Sequence, residues 1–117
     1  MITQDQLKDI LDRADKLKHY LKIDEKKIEF EEEDLRTQAP DFWDDPKRAE
    51  EQMKKGKGIK RWLDGYQDVR TAADELQLAF DFYKEEMVTE EEVDDDYRKA
   101  IEAIEALELK NMLRQKE

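Results

Sequence analysis

Between residues 59 and 87 the chain repeats itself every seven residues. Ile59, Tyr66, Ala73, Phe80 and Met87 form one row, and Trp62, Val69, Leu76 and Tyr83 fill the row between them. Apolar residues at alternating steps of three and four lay a narrow stripe along one side of an α-helix, and such a stripe must be covered by another helix. The pattern begins downstream of Pro46. Asp44 or Asp45 suits an N-cap there, and a proline in the first turn loses no hydrogen bond. A helix over 46–87 spans about 60 Å at ~1.5 Å per residue. Gly56 and Gly58 fall inside it and each costs up to ~1 kcal/mol relative to alanine, so a weakened stretch or a break is expected there.

The flanking segments supply partners. Over 3–38, Leu7, Ala14, Leu21, Ile28 and Leu35 recur by seven, with Ile10 and Leu17 between them; Asp24 and Glu31 occupy the next intervening positions, so the stripe weakens after Ile23. Thr3 and Gln6 have the spacing of a capping box, as do Thr89 and Glu92. A third helix over 90–113 carries Val93, Tyr97, Ala100, Ile104 and Leu107, and Met112 and Leu113 extend its apolar face. No segment alternates like a strand. Three helices joined by short connections run antiparallel in sequence. The expected fold is all-α: an elongated antiparallel three-helix bundle with coiled-coil-like packing, one domain over 1–117, its helices at 3–38, 46–87 and 90–113 and a loop at 39–45.

Composition narrows the function. Charged residues make up 47 % of the 117, against roughly 25 % in an average domain, and the net charge is −11. Nucleic-acid binders draw most of their non-specific affinity from cationic contacts with phosphate. Direct DNA binding is therefore not expected, and any contact with RNA should be small and local. No run approaches the ~20 apolar residues of a membrane span, and the first ten residues lack the pattern of a signal peptide, so a cytoplasmic location is expected.

The chain has neither serine nor cysteine, which removes the common nucleophiles and thiolate metal ligands. Its single histidine, His19, follows Lys16 at the spacing where helical di-iron proteins place glutamate. The acidic run 90–96 lacks the glycine and spacing of a calcium loop and reads as a helix start with a solvated face. No catalytic residue, metal site or cofactor is expected, and the chain is not expected to be an enzyme. Two features stand out instead. Lys54, Lys55, Lys57, Lys60 and Arg61 gather cations in an acidic chain; they are a candidate contact patch for an acidic partner or a phosphate backbone, against the plainer reading of a balanced helix face. Phe42 and Trp43 sit side by side in the loop. They are expected to fold back and plug the end of the stripe, with a recognition patch as the alternative.

The stretch Pro40-Asp41-Phe42-Trp43-Asp44-Asp45-Pro46-Lys47-Arg48-Ala49 resembles the hallmark of the N-terminal domain of bacterial peptide chain release factor 2, a class I release factor. In that family Pro-Asp-aromatic-Trp, two acidic or related residues and Pro-x-Arg-Ala separate two long helices. The segments 13–35 and 106–113 are similar to the family's first helix and to its lead into the central domain. The resemblance implies translation termination at UGA and UAA codons. It also implies partners: the ribosome on its factor-binding side near the stalk base, and the GTPase that recycles release factors. The family's codon-reading Ser-Pro-Phe and catalytic Gly-Gly-Gln have no counterpart among these residues, since Gly56, Gly58 and Gly65 are never adjacent. The chain is thus expected to be a non-catalytic interaction module, a fragment without the domains that act. The competing expectation is a stand-alone acidic coiled-coil adaptor.

Overall fold

A computed structural model describes residues 1–116. It is all-helical, with four α-helices and a short 3-10 turn: α1 (Gln4–Tyr20), α2 (Ile23–Thr37), the turn (Phe42–Asp44), α3 (Pro46–Lys84) and α4 (Glu90–Lys116). Two compact units are present. The first comprises 1–21 and 65–117, the second 22–64, and α3 contributes residues to both.

The first unit is a three-helix bundle. The α1 N-terminus is closed by the reciprocal Thr3–Gln6 box, and α4 by the same device between Thr89 and Glu92. Ion pairs set the helix directions. The amino terminus meets Asp94 at 3.1 Å and Arg13 grips Glu108 at 2.6 Å, so α1 and α4 run parallel. Arg70 of α3 reaches Asp15 at 3.0 Å, while Leu7 and Phe80 line one groove, so α3 runs against α1. Ile10, Ala14, Leu17, Val69, Ala73, Leu76, Val93, Ala100 and Ile104 fill the interior, as the heptad rows require. Gly65 of α3 lies close against Leu107 of α4. A Cβ there would stand 3.1 Å from Leu107 Cδ1, whereas Gly56 and Gly58 would meet nothing within 4 Å. Gly58→Ala is therefore expected to stabilise the chain by about 1 kcal/mol. Gly65→Leu should destabilise it by about 1–3 kcal/mol through overpacking. Thermal melts of the two variants should move in opposite directions, and a shared direction would contradict this packing.

Asp96 of α4 is also shaped by the bundle. Burial lifts its carboxyl above the usual range; Lys99 opposes the rise, and Glu75, Asp95 and Glu92 reinforce it. The folded chain thus holds this proton more tightly than the unfolded one. Its contribution to stability falls as pH rises through the titration, and the ionised form is unfavourable at neutral pH. Asp96→Asn should raise Tm at neutral pH and lose that advantage below the ordinary carboxylate range. An equal gain in acid would point to a cause other than charge.

The second unit is a helical hairpin of α2 and the first part of α3, and it holds most departures from expectation. The helix expected over 3–38 is two helices. The break lies at Lys22, whose φ of 51° and ψ of 53° are left-handed, and no side chain caps α2 behind it. After the break the heptad register no longer faces inward. Ile28 and Leu35 are 59 % and 65 % exposed, while Ile23 and Glu33 are buried. No break occurs at Gly56 or Gly58, because α3 is helical through both. α3 ends at Lys84, short of the expected Met87. Glu86 takes φ 58°, the Met87 N–H bonds to the Phe82 carbonyl and the Glu86 N–H to that of Tyr83, which together form a Schellman end. Met87 is consequently exposed, as are Met112 and Leu113, which do not extend the apolar face of α4 although that helix runs on to Lys116.

Candidate functional site

The second unit contains both features singled out by the sequence, the aromatic loop and the basic cluster. The loop is built by local bonds. Gln38 and Ala39 donate their N–H groups to the carbonyls of Leu35 and Arg36, closing α2. Phe42 N–H bonds to Ala39 and Asp44 N–H to Asp41, which winds the 3-10 turn. Asp45 then starts α3 as its N-cap: its Oδ1 accepts from the Arg48 N–H at 3.2 Å, and Pro46 takes the first helical position.

This geometry corrects the expected plug. Phe42 and Trp43 pack on each other edge to face, with ring centroids 4.8 Å apart and planes at 84°. Phe42 is half-buried, but Trp43 stays 64 % exposed. The tight turn places consecutive residues on different sides, so only one ring can face the hairpin. Trp43 is left largely in solvent, in a stretch of sequence that also carries Asp41, Asp44 and Asp45.

The basic cluster divides in two. Lys55 turns to Glu33 at 3.2 Å and Lys60 to Asp64 at 2.7 Å. Lys54, Lys57 and Arg61 are exposed, and none of the three makes an ion pair or hydrogen bond among the described residues. Spaced three and four residues apart on α3, they share one face of the helix. Three unneutralised cations on one face of an acidic chain carry charge complementary to phosphate or carboxylate.

Glu33 is a residue that sequence reasoning missed. It is only 3 % exposed, and its Oε1 takes Arg36 Nη1 at 2.7 Å as well as Lys55 Nζ. A buried carboxylate keeps its charge at low cost only when cations and hydrogen bonds meet it. The faint signal was that Ile28 and Leu35 stand alone on α2, with no inner row to match them. His19 is exposed. Of the acids of 90–96, Glu90 accepts from Tyr83 Oη at 2.9 Å, Glu92 caps α4, Asp95 pairs with Arg98, and Asp94 meets the amino terminus. Among the described residues no cluster of potential metal ligands forms, and no helix is long and apolar enough to cross a membrane.

With the capped loop and the helices on either side in place, residues 25–117 match the PCRF domain. The chain belongs to the PCRF domain family. It is a peptide chain release factor N-terminal region, and the family ties it to translation termination and to the ribosome. The PCRF match takes in the whole aromatic loop and the whole basic cluster, the two features of the second unit described above. No solved structure matches this PCRF chain.

Proposed function

We propose that this PCRF domain is a non-catalytic module that helps a class I release factor of the release factor 2 type to sit on the ribosome at UGA and UAA codons. The observation that carries the reading is the division of the basic cluster. Lys54, Lys57 and Arg61 are left without anionic partners in a chain of net charge −11, and family membership supplies a phosphate-rich partner. The acidity of the remainder supports a peripheral position, on the factor-binding side near the stalk base, with only local contact to RNA. Trp43, exposed in an acidic stretch of sequence, suits a protein contact, and the recycling GTPase is the partner we assign to that side of the module.

The test is charge reversal of Lys54, Lys57 and Arg61 together. Ribosome association should weaken, and its dependence on salt should flatten, since each lost phosphate contact lowers the salt slope by roughly one. The same reversal at Lys55 and Lys60 does not test the idea, because those cations serve Glu33 and Asp64 inside the domain. Unchanged salt dependence in the triple variant would remove the proposed contact.

A further inference from the structure

α2 carries a second apolar row, on the side turned away from α3. At about 100° per residue, Ile23, Lys26, Phe30, Glu33 and Thr37 fall on one side of the helix, and these are buried or half-buried. That side meets α3 through the Glu33–Lys55 pair. Ile28 and Leu35 stand on the opposite side, within about 20° of each other and about 10 Å apart along the axis, and both are exposed. A helix that packs on one neighbour needs one apolar side, and its outer side is ordinarily polar.

Carboxylates border this outer row. Asp24, Glu25, Glu31 and Glu32 are exposed and lie within about 60° of Ile28, whereas the nearest cations of α2, Lys27 and Arg36, lie about 80–100° round the helix. Arg36 stands four residues from Glu32, the spacing of a helical ion pair, yet its Nη1 is turned to Glu33. Glu25, Glu31 and Glu32 make no ion pair or hydrogen bond among the described residues. The helix dipole accounts for Asp24 and Glu25, which lie in the first turn. It does not account for Glu31 and Glu32, which lie further along. Glu25, Glu29 and Glu32 are moreover spaced four and three residues apart, where like charges weaken a helix.

The row and its border together select an occupant. Nucleic acid and anionic lipid are repelled by the four carboxylates. Two aliphatic residues one heptad apart match the apolar stripe of a helix laid along α2, and the acids match lysine or arginine on that helix's flanks. We propose that the outer face of α2 is a docking surface for a cationic amphipathic helix of a partner protein. Ile28 and Leu35 supply the apolar contact, and the carboxylates fix the sign of the partner's charge. The surface is separate from Lys54, Lys57 and Arg61 on α3 and from Trp43 in the loop, so it does not depend on the contacts assigned to those residues.

The test is titration of the 117-residue chain with a synthetic peptide of about 18 residues, with leucine at alternating steps of three and four and lysine on the flanking positions. By NMR the Ile28 and Leu35 methyl groups should shift together, while those of the buried Leu76 stay in place. A peptide of the same composition with its leucines moved off the stripe should bind at least about tenfold more weakly, since it keeps the charge and loses the apolar match. Ile28→Gln with Leu35→Gln should weaken the first peptide by about tenfold or more and leave the helical spectrum unchanged, because both residues are exposed. Glu25→Gln, Glu31→Gln and Glu32→Gln together should weaken it and flatten its salt dependence. The proposal fails if the two methyl groups do not move, if the rearranged peptide binds equally well, or if either set of variants binds as the parent does. It fails also if the chain alone sediments as a dimer that the Ile28→Gln, Leu35→Gln variant dissolves, because a second copy then covers the face.

Discussion

Ile104→Ala should destabilise the chain by about 2–5 kcal/mol, the range for emptying a fully buried aliphatic site. Ile104 has no exposed surface, and it lies on α4 between Ala100 and Leu107, which are buried with it. Domains of this size hold about 5–15 kcal/mol in total, so the loss is a large fraction of what keeps the bundle folded. Leu109→Ala, five residues on and 56 % exposed, is the matched control and should fall within about 0.5 kcal/mol of the parent. Urea unfolding of both variants separates them. Equal midpoints would mean that the α4 register is wrong.

The second large effect belongs to the hairpin. Lys55→Glu should cost about 1–3 kcal/mol, below the range for a fully buried ion pair, because Lys55 is itself 55 % exposed and Arg36 still meets Glu33 after the change. The variant sets one carboxylate against another that is 3 % exposed. Adding Glu33→Gln to Lys55→Glu should recover most of the loss, since the buried charge is then gone. A double-mutant cycle monitored by thermal melts measures that coupling. Additive losses would show that Lys55 and Glu33 act independently. Both large effects are local, and each reports on one compact unit.

These two sites also show what the sequence could and could not reveal. Ile104 was legible because α4 and the second part of α3 keep strict three- and four-residue spacing, and each apolar row is covered by a helix. The capping boxes at Thr3 and Thr89 and the Asp45–Pro46 start of α3 were legible for the same reason: the bonds they make are local. Glu33 was not legible. Its burial depends on the left-handed turn at Lys22, which no glycine or proline announces and which takes α2 out of the earlier register. Once that register is lost, Ile28 and Leu35 face solvent and a charged residue faces in. The glycines misled in the opposite sense. The propensity penalty at Gly56 and Gly58 is real but small, and a helix as long as α3 absorbs it. Trp43 was misjudged because burial averages for aromatics say nothing about a 3-10 turn that can bury only one of two adjacent rings. The basic cluster was visible as composition, but which cations were free depended on Glu33 and Asp64, and only the folded chain shows that.

The central claim is that this PCRF domain meets the ribosome through a few unpaired cations and performs no chemistry. The most direct measurement places the purified chain on bacterial ribosomes that carry peptidyl-tRNA with UGA or UAA in the decoding site, and follows co-sedimentation and peptide release in the same samples. The account predicts salt-sensitive binding of the chain, weakened by joint reversal of Lys54, Lys57 and Arg61, with no peptide released. Failure to bind even at low salt, binding that ignores the triple reversal, or release of peptide by the chain alone would contradict it.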